Sequence, residues 1–230
     1  MASTVSYKAP SSLRFQGVMW TGMILLCVIG AAAVIRRIVA LAHPVQNAPA
    51  QLAALDAAFA HKSVLTLLHI VPALILVGLV PFQFSRSFRN RHLQIHRWMG
   101  RTIMVLGLIV GFSALALLRD PVGGPIEVSA ILIFDALFLF SLVRAFIHIR
   151  RREIAQHREW IIRAMSVALG VATVRPIMGI FFATSRFTGL TPHEFFGIAF
   201  WTGFLLTYVL GESWIRYTRR AVMPSEVLVP

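Results

Sequence analysis

Cysteine is nearly absent from this chain, and charge is sparse. The single thiol, Cys27, excludes an intrachain disulfide and a thiolate cluster for zinc or iron-sulfur. Charged residues make up 13% of the 230 positions and apolar ones 57%, whereas a soluble domain carries about a quarter charged and about half apolar. A water-soluble globular fold is thereby excluded. Acid is the scarcest charge, with 9 Asp and Glu against 22 Lys and Arg. The basic residues stand in short clusters between long apolar runs, which is how topology signals are distributed and argues against a nucleic-acid partner. H-E-x-x-H, Walker A and G-x-S-x-G are all missing, so protease, NTPase and hydrolase chemistry have no support and no catalytic residue is assigned.

What the chain has is hydrocarbon. A run of about 20 apolar residues crosses a bilayer as a helix, and six runs qualify: 17–35, 62–84, 98–118, 126–147, 160–184 and 194–215. They predict an all-α, polytopic helical bundle with a short segment 1–16, one membrane domain over 17–215 and a tail from 216 to 230. The first run resembles a secretory signal, with Lys8 and Arg14 before it and Ala40-Leu41-Ala42 after it. Its 19 residues, and Arg36 and Arg37 before the cleavage-like site, favour an uncleaved anchor. Positive charge sets orientation. Sixteen Lys and Arg fall on the side of the two ends and five on the other, with Arg175 inside a span; both ends are expected in the cytoplasm, facing anionic lipid. Arg36 and Arg37 break the pattern, and snorkelling or lipid pairing is expected of them.

Local signals refine the connections. Gln51 to Ala60 reads as a short interfacial helix with Leu52, Leu55 and Phe59 in one stripe. Thr191-Pro192-His193-Glu194 reads as a helix start, with Thr191 as cap and Pro192 in the first position. Gly107 and Gly111 have the spacing of a close helix contact. The stretches 84–101 and 142–163 each run from an apolar helix through arginines to His-Arg, Trp and Arg. Two parallel copies of one hairpin, or chance likeness of two basic loops, both account for this.

Charged groups at membrane depth face a partner or a cavity. At 1.5 Å per residue, Asp135 and Arg175 both lie roughly 13 Å from the outer ends of consecutive spans, and His69 reaches a similar level. An ion pair within a His69, Asp135 and Arg175 cluster is expected, next to a kink at Pro176. Arg144 and Glu212 match at the inner level as a second pair. Locked helix registry and a buried proton or substrate path are the two readings of these groups.

His96 and His157 occupy equivalent places at the starts of the third and fifth spans. A histidine from each of two helices is how b-type cytochromes hold haem iron, and Arg101 and Arg163 are the candidate propionate partners. His69 is the candidate for a second haem; its pairing with His193 is less convincing because His193 belongs at the surface. Zinc at His92 and His96 lacks the ligands to complete a site.

Leu68-His69, then His96-Arg97-Trp98-Met99-Gly100-Arg101, then His157-Arg158-Glu159-Trp160-Ile161-Ile162-Arg163 resemble the LH, HRxxGR and HRxWxxR motifs of an uncharacterised family of bacterial multi-helix membrane proteins with a domain of unknown function. The resemblance extends through Val174-Arg175 to Glu212 and covers roughly 61 to 215. It implies a bacterial inner membrane protein and gives no activity. The chain departs from the family in the last span, where Leu205-Leu206-Thr207 stand in place of a common Asn.

Three functions follow. One is a b-type-cytochrome-like electron-transfer subunit exchanging electrons with quinone or a larger complex. Another is a transporter or proton-path protein built on His69, Asp135 and Arg175. The third is an accessory or assembly subunit that binds partner helices through Phe195, Phe196, Phe200, Trp201 and Phe204.

Overall fold

The computed structural model describes residues 10–43 and 49–222, all in helices or in the turns between them. Lys8, most of the segment 1–16 and the tail beyond 222 lie outside the described residues. Eight helices follow in order: α1 (Pro10–Ala42), α2 (Ala50–Ala60), α3 (Ser63–Phe84), α4 (Arg86–Arg91), α5 (Leu93–Leu117), α6 (Gly124–Arg150), α7 (Ile154–Thr188) and α8 (Pro192–Val222). Six of them, α1, α3, α5, α6, α7 and α8, are long and apolar enough to cross a membrane. The six-span bundle expected from the apolar runs is therefore present. With six crossings, the start of α1 and the end of α8 share one face, here called the terminal face; Phe15 packs there against Trp214 and Tyr217 at 5.7 and 4.7 Å between ring centres.

The helices α3, α5, α6 and α7 form a four-membered group. α5 packs on α3 and α6, and α7 packs on α6 and narrowly on α3, so α5 and α7 stand opposite one another without extended contact. α8 closes against α6 and α7, and α1 lies outside against α3 and α7. Gly107 and Gly111 make the close approach their spacing suggests, and it falls within the chain: a Cβ on either would collide with Leu142 or Leu139 of α6. α7 runs unbroken through Pro176, although the missing N–H frees the Ala172 carbonyl from its usual helical bond.

The start of α8 is built as its residues dictate. Glu194 Oε2 accepts from both the Thr191 backbone N–H (2.8 Å) and the Thr191 hydroxyl (2.9 Å), which satisfies a donor the first turn would leave open. On the same face α2 forms as expected, with Leu55 buried and Leu52 and Phe59 partly buried. Its Asp56 receives Arg36 and Arg37 from α1: Arg36 forms a two-pronged pair at 2.7 and 3.1 Å, and Arg37 bonds the same carboxylate. Arg37 also lies 4.3 Å from the Phe59 ring centre. The two basic residues that break the charge pattern thus share one protein carboxylate, where snorkelling or lipid was expected.

Candidate functional site

The terminal face gathers histidine. His96 sits in the first turn of α5, His157 in the first turn of α7 and His148 in the last turn of α6. His157 Nδ1 donates to the Ala145 carbonyl of α6 at 2.8 Å, a bond that fixes the ring and leaves Nε2 free. His96 Nδ1 is buried without a hydrogen-bond partner. The two rings are close enough to act on one another electrostatically, as are His148 and His157. His148 is buried and its Nδ1 bonds Glu153 in the turn between α6 and α7. Among the described residues no group of three or more His, Cys, Asp or Glu is placed to hold a bare metal ion.

The expected propionate partners are not on this side of their helices. At about 100° per residue, Arg101 lies about 140° around α5 from His96, and Arg163 about 120° around α7 from His157. Arg101 instead lies 4.7 Å from the Trp98 ring centre on an exposed surface. Arg163 pairs with Glu212 of α8, Nε to Oε1 at 2.5 Å and Nη2 to Oε2 at 3.3 Å. The cations that do act on His96 are Arg89 of α4 and the adjacent Arg97, and Arg86 and Arg89 also act on Arg158. The helix α4, whose six residues carry no apolar run, is the element sequence reading missed.

Arg163 takes the place expected for Arg144 as the partner of Glu212. Arg144 and Glu212 do line one cleft, but Arg144 Nε is buried without a partner and its guanidinium lies 5.3 Å from the Trp160 ring centre. Arg163 stacks on the same ring at 4.6 Å.

The ion pair expected between Asp135 and Arg175 is absent. Asp135 shares a face of α6 with Phe138 and Leu142, and that face meets α5 at Gly107 and Gly111; its Oδ2 is buried without a partner. Arg175 lies where α7 meets α1, with Arg36 and Arg37 acting on it, and it acts in turn on His69. Equal depth on consecutive helices fixed the height of both groups and left their direction around each axis open. His69 spends Nδ1 on α5, donating to the Val110 carbonyl (3.1 Å) and lying 3.0 Å from Ser113 Oγ. His193 is elsewhere, against Gly124 at the start of α6.

Every described acid except Asp135 has a partner. Asp56 takes Arg36 and Arg37, Asp120 lies 4.0 Å from Lys62, Glu153 takes His148, Glu159 takes Arg219 and Glu212 takes Arg163. Glu127 accepts from the Gly123 N–H at 2.6 Å, and Glu194 caps α8. The scarcity of acid was the available signal: eight of the nine lie within the described residues, and in so apolar a chain each merits a partner search. The aromatic face of α8 is also internal. Phe195 stacks on Phe181, Phe204 on Phe134, and Phe196 on Phe200, so these rings fill the bundle and do not await a partner helix.

Six helices long and apolar enough to cross a bilayer define a multi-pass integral membrane protein. The chain belongs to the family described as predicted membrane protein DUF2306, whose model matches residues 66–215. No curated protein and no solved structure matches it.

Proposed function

We propose that the protein is a b-type-cytochrome-like electron-transfer subunit in which His96 and His157 hold a haem between α5 and α7. The observation that carries this reading is the placement of two histidines at the terminal-face starts of α5 and α7, opposite members of a four-helix group, within electrostatic range of one another and with one ring nitrogen of His157 already engaged by the Ala145 carbonyl. The donor set fits the group: neutral imidazole is a good axial ligand, and a carbonyl bond at Nδ1 raises the basicity of Nε2. The buried, unpartnered Nδ1 of His96 is a polar atom that packing alone leaves unexplained. Haem would supply one-electron chemistry. The chain's own residues would orient the two ligands, and Arg89 and Arg97 would offset the charge of the propionates.

The same reading includes a terminal face in the cytoplasm, a bacterial inner membrane, and quinone or a larger membrane complex as electron partner. The proton-path alternative is the second reading: His69 and Asp135 both approach α5 at 110–113, but the Asp135–Arg175 ion pair it would use is absent. The test is the visible spectrum of protein purified from haem-replete membranes. A dithionite-reduced band at about 560 nm, as for bis-histidine haem b, is expected, and His157→Ala should abolish it while expression persists. Colourless wild-type protein overturns the reading. Cysteines placed at Ser87 and at Ser185 in a Cys27→Ser background test the orientation. An impermeant reagent applied to intact cells should label position 185 and spare position 87.

A further inference from the structure

The terminal face carries a second arrangement that haem ligation does not use. Between the end of α6, the start of α7 and the end of α8 lies an open cleft of ≈ 600 Å³. Its cations are Arg144, Arg163, Arg216 and Arg219, and its acids are Glu159 and Glu212. The acids are already spent, Glu212 on Arg163 and Glu159 on Arg219. Arg144 and Arg216 therefore remain without a carboxylate, which leaves the cleft with two uncompensated positive charges.

Two polar atoms in this wall are buried and unpartnered: Arg144 Nε and His148 Nε2. The His148 ring is oriented by Glu153 at its other nitrogen, and the Arg144 guanidinium is held beside the Trp160 ring. A rigid guanidinium fork binds phosphate oxygens by charge-assisted hydrogen bonds, and the His148 imidazole, whose Nδ1–H is given to Glu153, donates from Nε2 as the imidazolium. Trp160 and Tyr208 in the same wall are the aromatic residues that settle at headgroup level in a membrane. A dianion would match the two free cations.

We propose that this cleft binds a singly esterified or free phosphate group, with Arg144, Arg216 and His148 as its ligands. This goes beyond the haem reading and does not rest on it. Two sources present that group, the headgroup of an anionic lipid such as phosphatidic acid and a free phosphate.

Native mass spectrometry of the full chain, freed from detergent in the gas phase, would be run with phosphatidic acid, with phosphatidylcholine and with inorganic phosphate. Retention of phosphatidic acid at least about tenfold over phosphatidylcholine assigns the lipid source, and retention of inorganic phosphate assigns the free anion; either supports the proposal. Arg144→Gln should weaken the retained ligand about tenfold, the loss expected for one charge-assisted contact. Arg91→Gln, which removes an exposed cation of α4, should leave binding unchanged. If Arg144→Gln fails to fold, Arg216→Gln at the exposed mouth gives the same comparison. Failure both to retain inorganic phosphate and to favour phosphatidic acid over phosphatidylcholine, or equal weakening by Arg91→Gln, overturns the proposal. None of these outcomes depends on the absorbance at about 560 nm that tests the haem.

Discussion

The amino-terminal and carboxy-terminal halves of the bundle are packed in different ways. Only 6% of the α1 span is buried within the protein, rising through 17% for α3 and 22% for α5 to 39% for α6 and 44% for both α7 and α8. α1 presents Val18, Leu25, Val28, Ile35 and Val39 outward, whereas α8 buries Phe195, Phe196, Ala199, Phe204 and Ile215. Yet α7 and α8 are the least apolar of the six spans. In a bilayer the apolar residues are already in a solvent they match, so high hydropathy marks contact with lipid. Burial inside the protein instead selects small residues, aromatics that stack and polar groups that find partners. The exposed helices are therefore expected to tolerate change, and the α6–α8 half to resist it.

The largest expected effect is at the α7–α8 seam. A Cβ at Gly203 would stand 2.7 Å from Val174 Cγ2 and 3.0 Å from the Val174 nitrogen. Gly203→Leu should cost about 2–3 kcal/mol by overpacking and lower the melting temperature of the purified protein by about 5–10 °C. Gly22→Leu on α1, where nothing lies within 4 Å, is its counterpart and should leave that temperature unchanged. Equal losses at the two sites would erase the distinction between the halves.

Next is the polar seam between the same helices. Glu212→Gln removes the partner of Arg163, whose side chain is 14% exposed, and should cost about 1–3 kcal/mol because a partly buried guanidinium loses its counter-charge. The double replacement Arg163→Met with Glu212→Leu should recover much of that loss. If the double variant is no better than the single one, the cost lies in shape and not in charge.

The smallest measurable effect belongs to the periphery. Asp56→Asn weakens the pairs with Arg36 and Arg37 at the α1–α2 junction, where the Arg36 side chain is 43% exposed. A loss of about 0.5–1 kcal/mol is expected, seen as faster proteolysis near α2 with the melting of the bundle little altered. A collapse of the whole protein would make α1 and α2 part of the core.

The sequence by itself determined the six long apolar helices, the shared face of the two ends, the short helix read from Gln51 to Ala60 and the Thr191 to Glu194 helix start. Each rests on hydrocarbon length or on contacts within a few residues, and neither depends on what lies across the bundle. Depth along each helix was legible for the same reason, since a constant rise per residue converts position into height. Direction around each axis was not. Arg163 and Arg144 reach the same cleft, and only the packing of α7 on α8 gave Glu212 to Arg163. Asp135 and Arg175 share a depth, and the approach of α5 at Gly111 turned the aspartate away from α7. His96 and His157 could be matched as equivalents along the chain, but the placement of α5 opposite α7 decided that they stand across the four-helix group from one another. A helix of 3.6 residues per turn offers every direction to its neighbours, and the choice among them is made by the close approaches and side-chain volumes of the whole bundle.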